Sequence, residues 1–202
     1  MNPTIEVILF DLGGVLVELG NTPIPMEWLP GDSQFNLSNW FASEIAKSFE
    51  KGLINAQTFA ETLRIDLNIE ASSEEIIQHF TDWPIGPFTG SHEILKSVEN
   101  KFRLAVLSNT NELHWPRITS EFGISSYFEH IFASHRLKMA KPDLEIFEHV
   151  ISEMNVEPNN ILFMDDNQNN IKASKRLGIH GVHVGGIRQV HRTLFEVGAI
   201  DA

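Results

Sequence analysis

Six residues able to do chemistry stand where the chain changes its local structure. Asp11 closes the apolar run VILF (7–10) and is followed by Gly13 and Gly14; Ser108 and Asn109 end the run RLAVLS (103–108); Lys141 directly precedes a helix start in KPDLEIF; Asp165 and Asp166 follow NILFM (160–164). A carboxylate at the tip of a buried strand is costly unless donors, a counter-charge or a metal meet it. Two or three carboxylates on one rim repel each other, and a set of oxygen ligands suits Mg²⁺, which neutralises phosphate oxygens. Beside such a metal Asp11 stays ionised and can attack phosphorus as a nucleophile. Ser108, with the backbone N–H groups of its loop, can bind non-bridging oxygens, and Lys141 can hold Asp11 and phosphate together.

Each residue also has a plain structural reading. A lone Asp usually caps a turn, a lone Ser sits in one, a lone Lys is solvated, and Asp165–Asp166 would cap the helix read from 167 to 178. Their joint occurrence, each at a strand end or helix start, favours a site.

The elements that must bring them together follow from periodicity. VILF, RLAVLS, NILFM and HGVHV (180–184) read as buried parallel strands, with HIFAS (130–134) a fifth. Helical patterns lie between them: SHEILKSVEN (91–100), NELHWPRITSEFG (111–123) with Pro116 in its first turns, KPDLEIFEHVISEMN (141–155) and NNIKASKRLG (169–178). Such alternation predicts an α/β fold with a doubly wound, Rossmann-like parallel sheet, which binds ligands beyond the carboxyl ends of its strands. Residues 18–88 show no strand. They show helical pieces instead: LSNWFASEIAKSFEKG (37–52), NAQTFAETLRIDL (55–67) and SSEEIIQHFTDW (72–83), the last with a capping-box pattern at Ser72 and Glu75. A crossover needs only about a dozen residues, so the division expected is a core of 1–17 and 89–202 with a small helical cap, 18–88, inserted after the first strand.

Composition narrows the function. The 202 residues carry 27 acids against 15 bases, a net charge of −12 that repels nucleic acid and anionic membrane. No cysteine is present, so thiol catalysis and Cys-ligated zinc are excluded. The N-terminus lacks a basic region and Asp11 splits its apolar stretch, so a signal peptide is not expected, and a cytoplasmic protein is. The nine histidines show no zinc-ligand spacing, and Trp28, Trp40 and Trp83 fall in the insertion, as packing or as walls of a sugar pocket.

In their order FDLGGV (10–15), LSNT (107–110), KP (141–142) and FMDD (163–166) resemble the four motifs of the haloacid dehalogenase-like (HAD) hydrolase superfamily. The likeness runs over essentially the whole chain, and DLGGV with LSNTN is most similar to the sugar-phosphatase branch that includes bacterial α-D-glucose-1-phosphatases. The resemblance implies Asp11 as nucleophile and Mg²⁺ ligand, phosphate contacts from Ser108 and Asn109, Lys141 bracing the phosphoryl group, and metal binding by Asp166 and the Gly13 carbonyl, with Asp165 behind them. The substrate implied is a small phosphorylated metabolite, a sugar phosphate such as glucose-1-phosphate.

Two positions depart from the family pattern. Gly13 stands where most family phosphatases have an Asp acting as general acid and base, and Asn170 stands where many have a further acid. Loss of the acid favours leaving groups that need little protonation, such as anomeric phosphates, or a partial substitute from water or the insertion. Two other readings compete: a non-catalytic regulatory protein that lost its acid, and a metal-independent dehalogenase, which has no need of Asp165 and Asp166 as a pair.

Overall fold

A computed structural model describes residues 4–29 and 43–201. Five parallel strands form the sheet: β1 (Val7–Phe10), β4 (Arg103–Ser108), β5 (His130–Ala133), β6 (Ile161–Asp165) and β7 (His180–His183), in the order β5-β4-β1-β6-β7. The central strands are apolar on both faces because both faces are covered. Ile8 and Phe10 meet Ile94, Leu95 and Val98 of α4 (Ser91–Val98) and Val190 and Leu194 of α8 (Ile187–Glu196). Val7 and Leu9 meet Phe147 and Val150 of α6 (Leu144–Met154) and Ile171 of α7 (Gln168–Arg176). The doubly wound α/β architecture expected from the alternation is the one found.

Register places the site. Phe10 pairs with Val106 on one side and Met164 on the other, so the residues that follow these strands emerge on one edge. The Asp11 N–H donates to the Met164 carbonyl at 2.9 Å, which ties the tips of β1 and β6 together.

Between β1 and β4 the chain forms α1 (Glu44–Glu50), α2 (Ala56–Asp66) and α3 (Ser73–Asp82). The capping box is present: Ser72 N–H donates to Glu75 Oε2 at 2.8 Å and Glu75 N–H to Ser72 Oγ at 3.2 Å. Phe49, Phe59, Ile76, Phe80 and Trp83 build a separate apolar cluster. Phe49 and Phe59 stack at 4.4 Å, and each such buried ring contributes roughly 1.5–3 kcal/mol. Trp28 packs against this cluster and tilts against His79, whereas Trp40 and the start of the 37–52 helix pattern lie outside the described residues.

Two expectations from the sequence are corrected. Residues 18–88 do contain strand: β2 (Val17–Leu19) pairs antiparallel with β3 (Pro84–Pro87) as a two-stranded ribbon. PIGP carries little strand signal, with Ile85 its one strand former, and its prolines are tolerated because a two-stranded ribbon is all edge. Residues 111–123 do not form one regular helix; past Pro116 the chain winds through a π turn, Arg117–Glu121, closed by Phe122 N–H on the Arg117 carbonyl. The helix α8 was not among those expected, although Val190 and Leu194 sit four apart and are fully buried.

Candidate active site

The carboxyl edge of β4, β1 and β6 gathers the charged residues. Lys141 lies in the connection between α5 (Ser134–Leu137) and α6, and its ammonium is buried between two carboxylates. It donates to Asp165 Oδ2 at 2.6 Å and reaches Asp11 Oδ1 at 2.9 Å. Asp165 has no solvent exposure and is fully engaged. Besides Lys141 it accepts the Asn167 N–H at 2.7 Å and the Asn170 side-chain amide, 3.0 and 3.1 Å from its two oxygens. Asn170 therefore orients a carboxylate and adds no charge.

Asp11, Asp165 and Asp166 each offer an oxygen within 4.8 Å of the others. Burial pushes the Asp11 carboxyl well above the usual carboxylate range; Lys141 opposes this, and Asp165 and Asp166 add to it. Asp166 is raised as well, by burial and then by Asp165. Burial works against the charge of Lys141, yet Asp11 and Asp165 outweigh it and hold the ammonium protonated. Three carboxylates facing one ammonium lack positive charge. The donor set, all oxygen, fits a hard divalent cation such as Mg²⁺.

The glycines after Asp11 have separate tasks. Gly14 has φ of +69°, and a Cβ there would stand 2.3 Å from Asp166 Oδ2, so only glycine lets Asp166 approach the loop. Gly13 is under no such demand; a Cβ there would meet the Leu19 Cδ1 methyl at 3.2 Å.

The β4 side differs from the expectation in one respect. Ser108 is buried, and its Oγ has only a long contact of 3.5 Å to the Asn109 carbonyl. The Asn109 side chain is already committed. Its Oδ1 accepts the Lys141 N–H at 2.9 Å, and its Nδ2 donates to the Lys141 carbonyl at 3.0 Å and to Glu50 Oε2 at 3.2 Å. Asn109 thus grips the backbone of Lys141, and its side chain is fully occupied in doing so.

Several contributors escaped the sequence reading. Glu50, the last residue of α1, reaches the site through Asn109, and burial raises its carboxyl to about 7 against the pull of Lys141 and Asn109. Its signal was its position, four residues after the buried Ala46 and next to the buried Phe49, on the apolar face of its helix. Ser134 donates to the Glu50 carbonyl at 2.6 Å and accepts the Thr110 N–H at 2.9 Å. His114 is buried and held near 4 by desolvation; its Nε2–H donates to the Phe80 carbonyl at 2.7 Å while Asn111 Nδ2 donates to its Nδ1 at 3.1 Å. That pair links the loop after β4 to α3.

Comparison with known proteins agrees with this geometry. The family model described as haloacid dehalogenase-like hydrolase matches residues 8–184. The chain belongs to that family of hydrolases. It is 27% identical over 183 residues to a D-ribitol-5-phosphate phosphatase of Bacteroides thetaiotaomicron, covering 86% of this chain and 89% of that protein. It is also 27% identical over 198 residues to a sesquiterpene phosphatase of Aspergillus oryzae, covering 91% of this chain and 92% of that one. A crystal structure of a HAD family enzyme from Bacteroides thetaiotaomicron in complex with magnesium and inorganic phosphate superposes with a TM-score of 0.74 at 30% identity, covering 89% of this chain and 93% of that one. Among the described residues no helix is long and apolar enough to cross a membrane.

Proposed function

We propose that this hydrolase is a Mg²⁺-dependent phosphatase of small phosphomonoesters, a sugar or polyol phosphate of the glucose-1-phosphate kind, working through an aspartyl-phosphate on Asp11. The observation that carries the reading is Lys141 holding Asp11 beside Asp165 and Asp166, three carboxylate oxygens within 4.8 Å. Asp11 is the nucleophile, its free oxygen attacking phosphorus while Lys141 keeps the other in place. The Ser108 hydroxyl, the Asn109 N–H and the Lys141 ammonium receive the phosphoryl oxygens. Asp11, Asp166 and the Gly13 carbonyl hold Mg²⁺, which when bound offsets the charge of the carboxylates and the phosphate. The separate aromatic cluster supports a core of 1–17 and 89–202 with a cap of 18–88. A phosphorylated metabolite as substrate supports a cytoplasmic location.

The dehalogenase reading is weaker because in a metal-free site the single ammonium of Lys141 answers only part of the mutual repulsion of Asp11, Asp165 and Asp166. The deciding experiment is hydrolysis of p-nitrophenyl phosphate with Mg²⁺ and with excess EDTA, followed by a panel of sugar and polyol phosphates. Activity should vanish on chelation and return with Mg²⁺, and Asp166→Ala should need far more Mg²⁺ to recover it. Full turnover in EDTA would overturn the metal-dependent mechanism, and no turnover on any phosphomonoester would favour the non-catalytic reading.

A further inference from the structure

An in-line displacement on phosphorus sets the attacking and leaving oxygens on opposite sides. Asp11 attacks from the sheet edge, so the leaving oxygen faces away from the sheet. What lies there is the inserted helical segment. The end of α1 and the turn after it are fastened across the carboxyl edge by Glu50 to Asn109, the Glu50 carbonyl to Ser134, Lys51 to Asp143 at 2.7 Å, the Gly52 carbonyl to Lys138, and the Ala56 N–H to Glu112 at 2.6 Å. Gly13 offers no side chain to the leaving group, and this segment is the part of the molecule placed to supply one.

We infer, on the phosphatase reading above, that Glu50 is the general acid and base of the reaction, carried into the site by the insertion in place of the group missing at residue 13. Among the described residues of 18–88, it is the one titratable side chain that hydrogen-bonds a residue of the site, and its Oε1 accepts no hydrogen bond there. Oε2 is anchored by Asn109, so the free oxygen is the one available to substrate.

The proton balance is simple. As Asp11 bonds to phosphorus, the bond from phosphorus to the leaving oxygen breaks, that oxygen keeps the electron pair, and the Glu50 carboxyl gives it a proton. The Glu50 carboxylate then takes a proton from water as the water oxygen attacks the aspartyl-phosphate, releasing phosphate and the Asp11 carboxylate. Its environment suits the task. Burial raises the carboxyl to about 7, so both protonation states are populated near neutrality. Lys141 is the charge that opposes this from the sheet edge; next to Glu50 in sequence Lys51 is engaged by Asp143, from α5 Lys138 is engaged by the Gly52 carbonyl and His135 is lowered by burial, and from the loop after β4 Glu112 is engaged by the Ala56 N–H.

The test compares p-nitrophenyl phosphate with phenyl phosphate, which differ in how much the leaving oxygen needs a proton, using the Mg²⁺-loaded enzyme and Glu50→Gln. The glutamine keeps an acceptor for Asn109 and cannot donate a carboxyl proton, and thermal melting checks that the variant folds like the parent. For Glu50→Gln, kcat/KM on phenyl phosphate should fall by about 10²-fold or more, with a much smaller loss on p-nitrophenyl phosphate. The decline of kcat/KM on phenyl phosphate as pH rises through about 7 should disappear in the variant. Glu50→Asp should recover part of the loss. Equal losses on both esters with an unchanged pH profile would make Glu50 a structural residue and overturn the inference. A parent enzyme silent on both esters would overturn the phosphatase reading, and this inference with it.

Discussion

The sheet edge and the inserted helices solve opposite problems. At the edge, charges are packed together: one buried ammonium, Lys141, touches two carboxylates, and Asp165 is surrounded by donors. In the insertion, rings are packed together: Phe59 lies 4.4 Å from Phe49 and 5.0 Å from Phe80, and Phe80 lies 4.6 Å from the neutral ring of His114. Removing a group from the edge changes chemistry and the fate of its partner charges. Removing one from the insertion changes how firmly that segment packs.

The largest effect expected is Asp11→Asn. Turnover should drop by on the order of 10⁴-fold or more, with melting unchanged or slightly raised because a repelling charge is lost. Near-normal turnover would end the covalent mechanism. Lys141→Met should cost both activity and roughly 3–5 kcal/mol of stability, since it strands the buried Asp165 without its counter-charge. Denaturant unfolding of the metal-free protein measures this, and a loss below about 1 kcal/mol would show that Asn170 and the Asn167 N–H suffice alone.

His114 probes the other region by pH. Its folded value, about 4, lies below the ordinary 6.5, so the folded state resists protonation. Stability from the neutral ring is full above about 6.5 and is lost as pH falls toward 4, by about 3 kcal/mol at most. His114→Phe should flatten that part of the stability–pH curve, and an unchanged slope would assign it to other groups. The smallest effect belongs to Gly13→Asp. Its backbone allows the change and the Leu19 methyl must yield by a few tenths of an ångström. Because Glu50 already supplies a proton on the reading above, the added carboxyl should change the ratio of glucose-1-phosphate to glucose-6-phosphate rates only slightly in paired measurements; a large change would show that the leaving oxygen otherwise lacks an acid, and a loss of both rates that the side chain blocks the pocket.

The two regions were unequally legible in the sequence. VILF, RLAVLS and NILFM are short apolar runs ending in chemistry, and a parallel sheet has no choice but to bring such ends to one edge. Asp11, Ser108 and Asp166 could be named for that reason, and Lys141 because it stands directly before a helix start. The partners of these residues could not, since Asn109 looks like a ligand until its amide is seen on the Lys141 backbone. Glu50 was hidden because an acid near a helix end ordinarily reads as solvated, and only tertiary docking buries it. β3 was hidden because PIGP gains its pairing from β2 and little from propensity.

The docking of α1 bears on how such a hydrolase can be rebuilt. The contacts that fasten the end of α1 and its turn to the sheet edge are few, polar and confined to residues 50–56, while the aromatic cluster behind them is shared with the edge mainly through His114. A helical segment borrowed from a relative would keep its own rings intact, and it must match that short seam, present an imidazole socket beside α3 and meet Arg117, which donates to the Thr81 carbonyl at 3.2 Å and pairs with Asp82 at 3.7 Å. Gly52, with φ of +60° and a would-be Cβ 2.5 Å from the His135 carbonyl, is the one backbone position in the seam that admits no substitute. On the reading proposed above, the segment can therefore be exchanged as a cassette that must bring its own counterpart of Glu50, with Asp11, Lys141, Asp165 and Asp166 left in place.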